Sequence, residues 1–141
     1  MPNKQNAQYE EWKIVFEKII DKLDNNFILI GHSLGAMFIV KYLSENTISK
    51  TIEKTLLLGT PFDNSIKTDP LAGFLRQGNL QKLAEQAGKL FFYHSEDDFA
   101  VPFEHVLKYK EALPYASFRL MKDRNHFLQE EVPELNFDIL H

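Results

Sequence analysis

Trp12, Val15, Phe16, Ile19, Ile20 and Leu23 recur at offsets of three and four, with Glu11, Lys13, Glu17, Lys18, Asp21 and Lys22 between them. Side chains three and four apart share one face of a helix, so this stretch predicts an amphipathic helix that stops at Asn25-Asn26. Phe27-Ile28-Leu29-Ile30 follows as an unbroken apolar run, the pattern of a strand covered on both faces, and Gly31 predicts a sharp turn after it. From Leu34 to about Glu45, apolar residues at helical spacing nearly encircle the axis, which predicts a buried helix. Thr55-Leu56-Leu57-Leu58 is the next strand, closed by the punctuating Gly59-Thr60-Pro61. Leu90-Phe91-Phe92-Tyr93 makes a third strand, Phe103 to Leu113 a helix with Pro102 near its start, and Ser117 to Met121 a fourth strand. Pro133 opens a last helix carrying Leu135, Ile139 and Leu140.

Strands alternating with helices imply an α/β protein: a three-layer α/β/α arrangement around a mostly parallel sheet. Residues 62–88 interrupt the alternation. Pro70, Gly73, Gly78 and Gly88 there surround two short apolar patterns, Leu71/Phe74/Leu75 and Leu80/Leu83/Ala84/Ala87, which predict small helices in a cap-like connection that roofs a site. With no repeat, linker or low-complexity tract, residues 1–141 read as a single domain.

The punctuation after the first strand carries chemistry. Gly31-His32-Ser33-Leu34-Gly35 has the form G-x-S-x-G and lies between a buried strand and a helix, the context in which that spacing forms a nucleophile elbow. Strained backbone at such a turn projects the serine hydroxyl above the strand ends, and the flanking glycines remove side chains that would collide. The N–H of Leu34, at the helix N-terminus, is placed to stabilise a developing oxyanion. Without partners, the same residues would only end a strand, with Ser33 as a helix cap. Partners exist in the order this chemistry uses, nucleophile, acid, base. Asp98 lies just beyond the strand 90–93 and His126 just beyond the strand ending at Met121, both at strand C-termini, where sites of α/β sheets form.

Composition narrows the classes. Sixteen Lys and Arg against 20 Asp and Glu, a net charge of −4, offer no basic cluster to follow a phosphate backbone, so nucleic acid is not an expected partner. There is no Cys, hence no disulfide framework or thiolate metal site. No apolar run reaches the roughly 18 residues of a membrane span, and Met1 to Asn6 lacks a signal-peptide core; the expectation is a cytoplasmic protein without a membrane partner. His105 belongs to a helix face and His141 ends the chain, and no histidine has a neighbour at metal-ligand spacing, so neither metal nor cofactor is expected. His32 is read as packing or polarity around the elbow, turned from the reaction centre, and His94, Glu96 and Asp97 as loop hydrogen-bond formers and solvated charges.

Three blocks, Gly31-His32-Ser33-Leu34-Gly35, His94-Ser95-Glu96-Asp97-Asp98-Phe99-Ala100-Val101-Pro102 and Asn125-His126-Phe127, resemble α/β-hydrolase motifs. With Met1-Pro2-Asn3 and Trp12, the chain is similar to the small serine hydrolases related to retinoblastoma-binding protein 9 and to bacterial YdeN-type hydrolases. The resemblance selects Asp98 over Asp97 as the acid, since the family's aspartate stands four residues before the proline. Asn125 replaces the glycine usual before the histidine, a mild departure because Asn tolerates left-handed backbone. The resemblance also implies strands upstream of Met1, one of them beside residues 27–30, together with a second oxyanion N–H. The expectations are an N-terminally truncated hydrolase fold and an open apolar edge at 27–30 that self-associates or takes an upstream partner segment.

The implied activity is carboxylesterase-like. Ser33 attacks a small ester or thioester, His126 is the base, Asp98 orients it, and water resolves the acyl-enzyme. Residues 60–88 are too few for a large lid, which favours a small-molecule acyl substrate. Two other readings stand beside it: a silent hydrolase fold acting as an interaction module, and acyl transfer through the same triad.

Overall fold

The computed structural model describes residues 1–66, 71 and 73–141. Its elements in chain order are α1 (Tyr9–Ile20), β1 (Phe27–His32), α2 (Leu34–Glu45), β2 (Ile52–Leu58), a 3₁₀ turn (Asn64–Ile66), α3 (Gln81–Gln86), β3 (Lys89–Ser95), α4 (Glu104–Ala112), β4 (Ser117–Met121) and α5 (Pro133–Leu140). The four strands form one sheet in the order β1-β2-β3-β4, every neighbouring pair parallel. Helices cover both faces, so the α/β architecture expected from the alternation is the one observed.

Alternate side chains of each strand serve different layers. On one face Leu29, Leu57 and Phe92 join the buried residues of α1, α2, α3 and α4 in the main core. Trp12 and Phe16 of α1 pack edge-on against Phe38 of α2, with ring centroids 5.8 and 5.2 Å apart, which is how the apolar stripe of α1 is buried. On the other face Leu56, Leu58 and Tyr93 form a smaller cluster with Phe127 and Val132, against which Leu135 and Ile139 of α5 pack.

Polar contacts fasten α5 to that second face. Lys54, 3% exposed within β2, donates to the carbonyls of Asp138 and Ile139 at 3.0 and 3.1 Å, which places a cation where a helix C-terminus is most negative. Arg119 of β4 grips Asp138 through two N–H groups, at 2.9 and 2.8 Å, and the Tyr93 hydroxyl donates to the same carboxylate at 2.7 Å. The Arg119 contact is the main reason the Asp138 carboxyl is held below the ordinary carboxylate range.

Boundaries differ from the sequence reading: β2 begins at Ile52, before Thr55, and α1 ends at Ile20, before Leu23. β1 continues through Gly31 and His32, opposite Leu57 and Leu58, so the sharp turn falls at Ser33 and not at Gly31. β3 runs from Lys89 to Ser95, which makes His94 and Ser95 strand residues, buried at 1% and 0%, and not members of a solvated loop. The helix expected from Leu80, Leu83, Ala84 and Ala87 is α3, whereas the one expected around Leu71, Phe74 and Leu75 borders residues 67–70 and 72, which lie outside the described residues together with Pro70. Leu71 and Phe74 themselves are buried in the main core.

At one end of the sheet order β1 hydrogen-bonds to β2 on one side and to no strand on the other among the described residues, and Ile30 is 48% exposed there. Among the described residues no helix is long and apolar enough to cross a membrane.

Candidate active site

Parallel strands start at one edge of a sheet and finish at the other, so the residues following β1, β2, β3 and β4 gather along one rim. Hydrogen bonds lace that rim together. Ser33 N–H donates to Leu58 O, Gly59 N–H to Tyr93 O and Glu96 N–H to Met121 O, at 2.9, 2.9 and 2.8 Å.

Ser33 occupies the turn between β1 and α2 with φ 54° and ψ −117°, outside the regions L-residues ordinarily adopt. Close packing enforces the turn. A Cβ at Gly31 would lie 2.6 Å from Ala36 Cα and 2.8 Å from Ala36 N, so only glycine lets α2 approach β1 this closely. Gly35 plays no matching part: a Cβ there would meet nothing within 4 Å, contrary to the expectation that both flanking glycines relieve collisions. Leu34 is the first residue of α2, so its N–H has no intrahelical acceptor and is open to an anion.

Asp98 and His126 meet although 28 residues separate them. His126 Nδ1 lies 2.8 Å from Asp98 Oδ2, and Asp98 Oδ1 accepts the N–H groups of Ala100 and Val101, both at 2.8 Å. The Asp98 side chain has no exposed surface. Burial pushes its carboxyl pKa up, but the His126 bond and the two N–H groups outweigh burial and hold it below the ordinary value. An ionised carboxylate only accepts, so Nδ1 of His126 carries the proton and Nε2 is left as the basic nitrogen. Ser33 Oγ forms no hydrogen bond to His126 among the described residues. Nucleophile–base contacts are often long without substrate and tighten in the reacting complex.

Backbone strain continues on the base side. Asn125 and Phe127, flanking His126, have φ of 49° and 54°. Asp97 stabilises this bend: its Oδ1 accepts the Ser95 hydroxyl and the Asn125 N–H, while Asn125 Oδ1 accepts the Phe99 N–H at 3.2 Å. Asp97 thus supports the loop while Asp98 faces the histidine.

Three contributors lie outside the site the sequence reading assembled. Gly59, with φ 53°, passes so near the imidazole that a Cβ there would lie 3.0 Å from both Cε1 and Nδ1 of His126 and 3.3 Å from Asp98 Oδ2. His94 Nε2 donates to Val101 O at 2.9 Å and stands 3.9 Å from Asp98 Oδ2, and burial pushes its pKa down, favouring the neutral ring. His32, expected to turn away, lies against His126: their ring centroids are 4.7 Å apart. Only Gly59 had a local signal, standing at a strand end before Thr60-Pro61. A concavity of about 490 Å³ lined by Arg76, Leu80, Ala112, Leu113 and Tyr115 shares no residue with Ser33, Asp98 or His126.

A parallel sheet clothed by helices, with a strained serine after one strand and an aspartate–histidine pair after two later ones, defines the α/β-hydrolase class. The chain belongs to the serine hydrolase family, whose model matches residues 1–131. It is similar to the hydrolase YdeN of Bacillus subtilis (strain 168), with 27% identity over 133 residues that cover 93% of this chain and 69% of that protein. The crystal structure of the ydeN gene product superposes with a TM-score of 0.79 at 24% identity, covering 99% of this chain and 77% of that one. The esterase domain of a Rhodothermus marinus protein follows the same fold, with a TM-score of 0.66 at 20% identity, covering 87% of this chain and 61% of that one. Hydrolase activity is the function these relationships support.

Proposed function

We propose that the protein hydrolyses small ester or thioester substrates through Ser33, Asp98 and His126. The observation that carries this reading is the Asp98–His126 hydrogen bond, which leaves Nε2 as the free base, on the rim where the strained Ser33 projects. His126 Nε2 takes the Ser33 proton as Oγ attacks the carbonyl carbon, and Asp98 stabilises the imidazolium that forms. The Leu34 N–H and the N-terminus of α2 receive the negative charge that develops on the carbonyl oxygen. His126 returns its proton to the departing alcohol or thiol, and water, activated by the same nitrogen, releases the acid.

The esterase description of the Rhodothermus marinus domain supports ester substrates by analogy of fold. A fluorophosphonate probe tests the reading without assuming a substrate. Wild type should gain one adduct by intact mass, and Ser33→Ala and His126→Ala should gain none. A folded wild type that stays unlabelled would remove the proposal. With labelling in hand, a panel of short-chain aryl esters and thioesters would rank the acyl preference.

A further inference from the structure

We infer that His32, the residue before the nucleophile, is a positioning residue for the base His126; the catalytic consequence rests on the proposed triad, whereas the positioning does not. His32 Nε2 lies 2.7 Å from the carbonyl oxygen of His126. A carbonyl can only accept, so Nε2 carries a proton and is the donor. No other hydrogen bond reaches that carbonyl among the described residues. The bond spans 94 residues and joins the last residue of β1 directly to the base loop.

That loop needs an external clamp. His126 sits between two non-glycine residues of positive φ, and such backbone persists only where surrounding contacts over-determine it. Asp97 and Asn125 tie the loop on the N-terminal side of His126. The His126–Phe127 peptide is tied within the loop by Phe127 N–H to Arg124 O at 3.0 Å, and His32 supplies its bond from outside the loop, with a ring that flanks the His126 ring at 4.7 Å and 48°, beside Phe99 at 5.9 Å. Ser33 follows His32 in the chain, so one side chain sets the base relative to the elbow. Misplacement of a reacting group by about 1 Å costs on the order of 10²-fold in rate.

Two substitutions separate the hydrogen bond from packing. His32→Phe keeps a ring against His126 and removes the donor, while His32→Gln keeps an N–H at similar reach. The readout independent of turnover is the downfield proton resonance of His126 Nδ1–H in the Asp98 bond, followed by nuclear magnetic resonance in the full chain with thermal unfolding as the folding control. In His32→Phe that resonance should broaden or move upfield, and in His32→Gln it should stay at the wild-type position. Fluorophosphonate labelling and kcat should fall at least about 10-fold in His32→Phe with KM within about two-fold, and recover to within about three-fold in His32→Gln. An unchanged resonance in folded His32→Phe overturns the inference, as does an equal loss of rate in both variants. If wild type is never labelled yet the resonance responds as described, the Ser33 chemistry fails and the positioning role stands.

Discussion

Gly59 gives the sharpest test of how the site is packed. Replacing it by alanine puts a methyl group 3.0 Å from His126 Nδ1 and Cε1 and 3.3 Å from Asp98 Oδ2, where carbon contacts normally settle at about 3.5–4.0 Å. The imidazole must therefore withdraw by about 0.5 Å, which strains its 2.8 Å bond to Asp98 Oδ2 at the same edge of the ring. The φ of 53° adds a left-handed penalty of about 1–2 kcal/mol for a residue with a Cβ. Overpacking of a closed site adds about 1–3 kcal/mol, so Gly59→Ala should destabilise by about 2–5 kcal/mol. Urea unfolding should show this as a lower midpoint with an unchanged slope, accompanied by a fluorophosphonate labelling rate reduced at least about 10-fold. Gly35→Ala is the matched control: with nothing within 4 Å of the added carbon and a helical position, it should gain up to about 1 kcal/mol. The reasoning is refuted if Gly59→Ala unfolds within about 0.5 kcal/mol of wild type and labels at the wild-type rate.

Ser33→Gly should abolish labelling yet raise stability by about 1 kcal/mol, because glycine relieves the strain at φ 54°, ψ −117°; thermal unfolding of the two proteins side by side checks this. Asp138→Asn should cost about 1–3 kcal/mol at neutral pH, discounted for the 42% exposure of the Arg119 side chain, by loosening α5. Because the folded carboxyl of Asp138 has a lowered pKa, its contribution is complete above the unfolded value of about 3.9 and disappears as pH falls through the folded value. The gap between wild type and Asp138→Asn in urea midpoint should therefore close below about pH 4, and a gap that persists there would count against the ion pair. If the side of β1 left unpaired among the described residues drives self-association, Ile30→Lys should reduce it in light scattering while changing the unfolding free energy by no more than about 0.5 kcal/mol, and equal scattering from both proteins would remove that expectation.

The local pattern alone determined much of this protein. The near-continuous apolar residues of 34–45 specify a buried helix and the apolar run at 27–30 a strand, but the expected cover on both faces of that strand is not seen: Phe27 and Ile28 are half-buried and Ile30 is 48% exposed. The elbow was readable because Gly31 and Ser33 are two residues apart, and the short motif carries its own geometry. At Asn125 the resemblance, which has glycine there, pointed to a residue tolerant of left-handed backbone, and its φ is 49°. Tertiary structure decided the rest. That β1 continues through His32 depends on its pairing with Leu57 and Leu58, which no local signal encodes. Which of two adjacent aspartates faces His126 depends on the chain returning 28 residues later, bringing Asn125 N–H to Asp97 and the imidazole to Asp98. The meeting of His32 with a carbonyl 94 residues away, and of Gly59 with the His126 ring, exists only once parallel strand ends share a rim. Periodicity reports which way a side chain faces; only the folded chain sets what it meets there.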